Sequence, residues 1–408
     1  MNQIEENTFL TRSLFGAFIA TILIFFLGDV GRNLAMSDES SFIRYTAISK
    51  GLVLAIYVVV FSLNFKFYRS DKRARNWSLA LVILLSCFLL AQLLGDFEDN
   101  KLEGIKKNLV YVSRFLYMPV TFLLFYPLLT RTDKTWKLFR LFEIFFFINC
   151  ALIVLGAIFD IAAFRTYDIF TRFGYMGIYN SNNQASYYFI LMMIFYYYQV
   201  SQGSKPYKLI AVILCSLLLG TKKIYLFLPL LFAYNFFRYR RYRNKWLVIS
   251  MLSLIGLLFL LRDKVLAFLE EYFNALVVLQ RKKGWLSMLS STRDAELKAT
   301  YENVVVAKWE WYNYLIGGAD FYNNRSEMEL FDIFFFFGLF GLLVYAWFIR
   351  DIMNYFRNLN YLWVMLGFLL FIAALASGFL VSANQPIVWL LVYSLIAFGS
   401  KKVSSSAV

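Results

Sequence analysis

The sequence of 408 residues contains no histidine and only three cysteines. Histidine is the usual general base near neutral pH and a common ligand of zinc and iron, so its absence excludes most sites of these kinds. Any proton transfer is left to carboxylates, lysines or tyrosines. Cys87, Cys150 and Cys215 lie far apart in apolar segments, a pattern that is typical of packing residues and predicts no metal site.

Charged residues are also scarce: they make up 16% of the chain, whereas hydrophobic residues make up 60%. This composition is typical of integral membrane proteins. Because a helix needs about 20 residues to cross the hydrocarbon layer, the length predicts an all-α, polytopic protein of about 12 transmembrane helices. We treat residues 1–408 as a single membrane domain. The net charge of +15 comes from basic residues in short links, which indicates membrane topology and anionic head groups rather than nucleic acid.

Each apolar segment is continuous enough to be a helix, which satisfies its own backbone in lipid. The first segment is followed by no small-residue cleavage site, so we predict a retained span rather than a signal peptide. The predicted spans lie at about 13–28, 50–65, 77–95, 109–130, 138–160, 184–200, 208–219, 224–237, 246–261, 330–349, 360–376 and 387–399.

The densest basic links, residues 66–75 and 238–245, fall on one side of the membrane if there are twelve spans. The positive-inside rule then predicts cytoplasmic termini. It also places a large polar loop, residues 263–329 between spans 9 and 10, on the periplasmic side. A loop of this length is uncommon unless it carries function.

Residues 208–237 allow two interpretations. A single span would bury Lys222 and Lys223 near the bilayer centre, at a cost of about 2.5–3.5 kcal/mol each. It would also send the basic link 238–245 to the opposite side. We therefore predict a hairpin that turns at residues 220–223, with arms too short to cross the membrane fully. Such a turn should face a water-filled or protein-lined cavity.

Two helices are predicted in the large loop. Val265–Leu279 has apolar residues at helical spacing and is expected to lie along the membrane surface. Residues 291–294 provide an N-cap and an early acidic residue, so a second helix should start there, run to about Leu315 and end at Gly317-Gly318. Arg293 then stands at a helix start, where backbone amides and the helix dipole favour an anion.

Several polar residues are predicted to converge on this side of the membrane. Each has a structural explanation of its own, such as pairing for an arginine, capping for an amide, or dipole complementation for a carboxylate. Together they suit a phosphate group held beside a hydroxyl-rich group. The candidates for substrate binding are Arg114, Arg172, Asn183, Gln184, Lys222 and Lys223, and the candidates for catalysis are Arg293, Glu329 and Asp332.

The order of short motifs resembles the O-antigen polymerase (Wzy-type) and O-antigen ligase superfamily of bacterial envelope enzymes. The motifs cover about 183–341, and the rest of the resemblance is topology. They are Asn183-Gln184 at a span start, GlyThrLys at 220–222, SerThrArg at 291–293, TyrLeuIleGlyGlyAlaAsp at 314–320, and an acidic pair before Gly338 and Gly341.

The resemblance implies an undecaprenyl-diphosphate-linked glycan as substrate, no metal or other cofactor, and a location in the bacterial cytoplasmic (inner) membrane. A chain-length regulator and a flippase are candidate partners. The resemblance assigns Lys222 to the basic position of the turn, Arg293 to the loop arginine, and Glu329 or Asp332 to the polar position before the next span. Ligases usually have a histidine at that last position, so its absence favours a polymerase.

The resulting hypothesis is a polymerase that joins lipid-linked repeat units by inverting, metal-independent glycosyl transfer, for O-antigen, capsule or exopolysaccharide. A ligase is one alternative. A flippase or transporter of lipid-linked sugars is another, although we see no convincing internal repeat of the kind that such proteins usually show. A metal-dependent polyprenyl-phosphate glycosyltransferase would have acidic residues in its first outer loop, where Asp29, Asp38 and Glu39 lie without a metal-ligand pattern.

Overall fold

In a computed structural model, the chain forms a bundle of α-helices. The structure describes residues 3–34, 39–94, 101–167, 173–179, 181–240, 277–321, 323–356 and 359–399, with single positions at 243, 253, 260 and 261. Within these residues there is no β-strand, and one antiparallel bridge joins Arg165 to Tyr175. The prediction of an all-α protein is confirmed.

The helices are numbered in chain order. They are α1 (Gln3–Leu34), α2 (Glu39–Leu63), α3 (Phe65–Ser70), α4 (Lys72–Leu94), α5 (Lys101–Leu129), α6 (Thr132–Phe159), α7 (Asn182–Ser201), α8 (Tyr207–Leu218), α9 (Lys222–Arg238), α10 (Arg293–Thr300), α11 (Asn313–Ile316), α12 (Glu329–Tyr355), α13 (Asn360–Leu375) and α14 (Gln385–Phe398). Residues 277–290 are also helical, Ala162–Phe164 form a 3-10 turn, and Tyr301–Val306 form a π-helical segment.

Among the described residues, five helices are long and apolar enough to cross a membrane, namely Thr8–Gly31 within α1, and α4, α5, α6 and α12. Shorter apolar helices are Ile48–Leu63 within α2, and α8, α13 and α14. Large apolar side chains such as Leu79, Val82 and Leu93 of α4 are exposed on the outside of the bundle. Outward-facing apolar side chains on long helices are typical of contact with lipid. The chain is therefore a membrane protein.

All but one of the predicted spans coincide with a described helix. The exception is 246–261, most of which lies outside the described residues. Most of the predicted surface helix Val265–Leu279 also lies outside them, as do the single residues Arg172 and Asp38. The predicted break in residues 208–237 is confirmed, because α8 ends at Leu218 and α9 begins at Lys222.

Helices α7 and α14 lie at the centre of the bundle. Residues 184–196 of α7 and 385–397 of α14 are buried without interruption. Helix α14 is apolar on nearly every face, the pattern of a helix surrounded by other helices, and it contacts α5, α6 and α7. Since α7 begins with polar residues, its first turn brings amide and hydroxyl groups to the end of this core.

Part of the large loop packs between helices. Helix α12 bends at Gly338, where φ is 67°, and a Cβ atom there would lie only 2.4 Å from the backbone nitrogens of Ile316 and Gly317. Only glycine fits such a backbone crossing. The N–H groups of Gly318 and Ala319 donate to the carbonyl of Phe335 at 3.2 and 3.1 Å. Helix α11 is thereby held against α12 and α4.

The predicted single helix from Arg293 to about Leu315 is wrong. Helix α10 ends at Thr300, the π-helical segment follows, and α11 starts only at Asn313. Three consecutive valines at 304–306 crowd the turns of a regular helix. Beyond them, the N–H of Glu310 donates to Asn313 Oδ1 at 2.9 Å, which closes a turn in place of a helical bond.

Candidate functional site

A cavity of about 260 Å³ lies where the N-termini of α7, α9 and α10 meet the C-terminus of α13. Three helix N-termini at one cavity favour an anion, because the N-terminal end of a helix dipole carries partial positive charge. The polar part of the wall consists of Asn182, Asn183, Ser186, Thr221, Ser291 and the cations Lys222, Lys223 and Arg293. The apolar part includes Leu226, Leu289, Ile372 and Leu375.

Short polar contacts fix the helix starts at the cavity. Ser181 caps α7, since its hydroxyl accepts the N–H of Gln184 at 3.2 Å. Ser186 Oγ donates to Thr221 Oγ1 at 2.8 Å and so joins α7 to the start of α9. Gly220 has φ of 66°, and a Cβ atom there would overlap the carbonyl oxygen of Phe173. The turn before α9 thus requires glycine.

The span face consists of Lys223 and Asn183, which line the cavity, and of Ser377, which hydrogen-bonds to both. Lys223 is only 7% exposed; its Nζ donates to Asn183 Oδ1 at 2.8 Å and to the carbonyl of Ser377. It also lies 4.6 Å from the ring centroid of Tyr187. Asn183 Nδ2 in turn donates to Ser377 Oγ at 3.3 Å. The buried ammonium is therefore balanced by neutral oxygens and a π-face.

Glu329 anchors the span face from behind. It is fully buried, and its carboxylate accepts the backbone N–H groups of residues 378, 379, 380 and 381. Such charge-assisted bonds satisfy a buried carboxylate. The segment that they fix begins next to Ser377, the partner of Lys223 and Asn183. The arrangement makes Glu329 an anchor of the backbone, with both of its oxygens occupied.

On the loop face, Arg293 lines the cavity, and its partner Glu327 connects it to Arg325. Arg293 is the first residue of α10, and its Nε and Nη2 donate to Glu327 Oε2 at 3.2 and 3.0 Å. Its Nη1 reaches the carbonyl of Ser290 at 3.4 Å. Arg325 Nη2 lies 3.3 Å from Glu327 Oε1. Glu327 therefore stands between two guanidinium groups, of which only that of Arg293 lines the cavity.

Lys222 joins the two faces. Its Nζ donates to Ser291 Oγ at 2.9 Å and to the carbonyl of Met288, so the start of α9 holds the start of α10. Asp294 secures the same turn through Ser287 and Ser290, whose hydroxyls donate to it at 2.5 and 2.8 Å. Burial acts to raise the pKa of Asp294, but these hydrogen bonds outweigh it, so its pKa lies below the ordinary value.

Gln184 and Arg114 lie away from the cavity. Gln184 Nε2 donates to Asp29 Oδ2 at 2.9 Å and to the Tyr188 hydroxyl at 3.0 Å, toward α1. Arg114 lies 4.6 Å from the ring centroid of Tyr111. Arg325, which pairs with Glu327, lies 6.0 Å from the same centroid. Neither Gln184 nor Arg114 lines the cavity. Among the described candidates, the cavity gathers Asn183, Lys222, Lys223 and Arg293.

Asp332 is nearly fully buried and does not line the cavity either. Its Oδ1 accepts the backbone N–H and the hydroxyl of Ser326 at 2.9 and 2.8 Å. Because Ser326 precedes Glu327, this contact fixes the approach to the loop face. These two bonds both go to Oδ1, whereas Glu329 accepts backbone N–H groups on both of its oxygens.

Sequence reasoning missed Glu327 and Ser377. Glu327 lies two positions before Glu329 in the same acidic stretch, a signal that would have allowed its inclusion. Ser377 precedes Gly378 in a Ser-Gly pair, a turn signal before the last span. Within the described parts of the chain, no three acidic or cysteine side chains come together as metal ligands.

Comparisons with known proteins give no relative: neither a family model, nor a curated protein, nor a solved structure matches the chain.

Proposed function

We propose that this chain is a membrane polymerase that joins undecaprenyl-diphosphate-linked oligosaccharide repeat units by inverting, metal-independent glycosyl transfer. The product would be O-antigen, capsule or exopolysaccharide. The proposal combines the motif order of the sequence with the chemistry of the cavity.

The observation that carries the proposal is the two-sided wall of the cavity. Lys222, Lys223 and Arg293 line one part, and leucine and isoleucine side chains line another. Cations at helix N-termini suit a diphosphate, while an apolar wall suits the first units of a polyprenyl chain. Asn183 and the neighbouring hydroxyls can donate to a sugar. A lipid-linked sugar diphosphate presents these three chemistries in one ligand.

In the proposed reaction, a hydroxyl on the acceptor's non-reducing sugar attacks the anomeric carbon of the donor. A C–O bond forms there, the bond to the diphosphate breaks, and undecaprenyl diphosphate leaves. Arg293, Lys222 and Lys223 stabilise the charge that develops on this leaving group. Neither Asp332 nor Glu329 lines the cavity, so neither is assigned to receive the acceptor proton, which passes to water; Asp332 is assigned to positioning the loop face through Ser326. Glu329 is assigned to positioning the span face.

The proposed topology has about 12 spans, as the length and hydropathy predict. The positive-inside rule puts both termini in the cytoplasm and residues 263–329 in the periplasm. The cavity would then open toward the periplasmic side of a bacterial inner membrane. A chain-length regulator and a flippase are the partners that such a polymerase would need.

The test uses purified protein in lipid nanodiscs with an undecaprenyl-diphosphate-linked repeat unit and a chelator. We expect a ladder of multiples of the repeat unit. Arg293→Gln should slow ladder formation by about 100-fold or more, the effect of removing a donor that stabilises transition-state charge. Lys298→Gln is the matched control, because Lys298 lies on the same helix, is exposed and pairs only weakly with Glu302 at 3.8 Å.

Other outcomes would replace the proposal. Transfer to a lipid A core acceptor without a ladder would identify a ligase. Movement of the substrate across the bilayer without chemistry would identify a transporter. Full polymerase activity in Arg293→Gln would remove Arg293 from the site.

A further inference from the structure

Glu327 occupies the side of Arg293 that an anionic ligand would use. The Nε and Nη2 atoms of Arg293 form the planar fork that binds carboxylates and phosphates side by side. In the structure both atoms donate to Glu327 Oε2. The same arginine lines the cavity. Arg293 thus lines the cavity while its fork is held by an internal carboxylate that does not itself line it.

The position of Glu327 indicates that this contact can be exchanged. The Arg293 side chain is 15% exposed, but that of Glu327 is 33% exposed, so water can replace the bonds that it makes. Glu327 also has φ of 55°, an uncommon backbone conformation for a residue other than glycine. Strained residues concentrate at ligand clamps and switch regions. By contrast, the bonds of Glu329 and Lys223 are buried.

Charge explains what the exchange would achieve. While Glu327 is bound, the charge of Arg293 is neutralised, and a singly charged ligand gains little by replacing one carboxylate with another anion. A diphosphate can contact Arg293 together with Lys222 and Lys223, which line the same cavity. It therefore gains contacts that Glu327 does not make. An internal competitor of this kind lowers the affinity of every anion that binds Arg293 by the same factor, and a diphosphate offsets that loss through its contacts with the two lysines.

We propose that Glu327 competes with the ligand for Arg293, so that a ligand binds tightly when it also contacts Lys222 and Lys223, as a diphosphate can. This inference rests on the proposed function, since it concerns the site that holds the diphosphate. Glu327 would return to Arg293 when undecaprenyl diphosphate leaves, which favours release of the product. Arg325, which holds the other carboxylate oxygen at 3.3 Å, would keep Glu327 close during the exchange.

The test measures binding of two soluble probes, inorganic diphosphate and dimethyl phosphate, to the full-length protein in detergent by titration calorimetry. Glu327→Gln should tighten binding of diphosphate by about fivefold, as expected for removing a part-exposed ion pair. Dimethyl phosphate should gain by a similar factor but bind more weakly than diphosphate in both proteins, because it cannot span Arg293 and the two lysines. In Arg293→Gln/Glu327→Gln the gain should vanish, since it acts through Arg293.

Glu302→Gln is the matched control, because Glu302 belongs to the same loop and pairs with an exposed lysine. It removes one negative charge and should leave both affinities unchanged. Should Glu327→Gln fail to fold, Glu327→Asp keeps the charge but shortens the reach and should give a smaller gain of the same sign. Equal or weaker diphosphate binding in the Glu327 variants would overturn the proposal.

The same titrations separate this inference from the proposed function. Unchanged diphosphate binding in the single variant Arg293→Gln would show that diphosphate does not bind at Arg293, which would reject the proposed diphosphate site. Loss of binding in Arg293→Gln, with no gain in Glu327→Gln, would leave the site in place and reject only the role of Glu327 as a competitor.

Discussion

The two faces of the cavity hold their cations in opposite ways. On the span face, Lys223 is buried and bonded to neutral oxygens of Asn183 and Ser377. On the loop face, Arg293 is bonded to the carboxylate of Glu327, which is a third exposed. The hydrogen bonds of Lys223 go to neutral oxygens, whereas Arg293 is ion-paired and its charge is compensated until its partner moves.

This difference separates a fixed part of the site from an adjustable part. On the span face the side chains of Lys223 and Glu329 are buried, so removing one of their partners leaves a buried group short of hydrogen bonds. The ion pairs of the loop face are partly hydrated, and each contributes little to stability. We therefore expect variants of the span face to change folding, and variants of the loop face to change binding.

Glu329→Gln should have the largest effect on stability and tests the fixed character of the span face. The amide nitrogen of glutamine cannot accept hydrogen bonds, so some of the N–H groups of residues 378–381 would lose their acceptor. We expect the free energy of unfolding to fall by about 3 kcal/mol, since bonds to a buried charge are worth about 1.5–3 kcal/mol each. The measurement is titration with sodium dodecyl sulfate from mixed micelles.

The control is Glu103→Gln, an exposed carboxylate at another helix start that pairs with Lys107. If the free energy of unfolding changed by less than 1 kcal/mol in both variants, Glu329 would contribute no more to stability than a surface residue. The span face would then not be the fixed part of the site.

Gly378→Ala should have an intermediate effect. Gly378 has φ of 111°, and a Cβ atom there would lie 2.9 Å from Cβ of Asn183. We expect a loss of about 1–3 kcal/mol from the backbone conformation, together with weaker diphosphate binding because Asn183 is displaced from Lys223. Gly367→Ala, which has nothing within 4 Å of the added Cβ, should not lower either quantity. Wild-type binding in Gly378→Ala would show that the span face tolerates movement.

Arg325→Gln should have the smallest effect on stability. Its side chain is 42% exposed and pairs with Glu327 at 3.3 Å, and such surface pairs contribute about 0–1 kcal/mol. The same denaturant titration measures this change. A loss above 2 kcal/mol would mean that the loop face is as fixed as the span face, and the comparison between them would fail.

Much of the fold followed from local sequence signals. Apolar runs gave the positions of the described helices, because a helix in lipid must be apolar over its length. Gly220 marked the break between α8 and α9, since it allows a positive φ in a turn. The start of α10 at Arg293 was also predicted, but its end was not. That end depends on the fit of residues 313–319 against α12, a contact that no local pattern encodes.

The sequence by itself determined where the helices lie and which polar residues stand at their ends. Only the tertiary structure decided which of these residues share the cavity. Adjacent residues on a helix point about 100° apart, so Asn183 faces the cavity while Gln184 contacts Asp29, 155 positions away. Glu329 contacts residues 378–381, and Arg293 contacts Glu327, because packing brings distant segments together. No spacing in the sequence indicates these contacts.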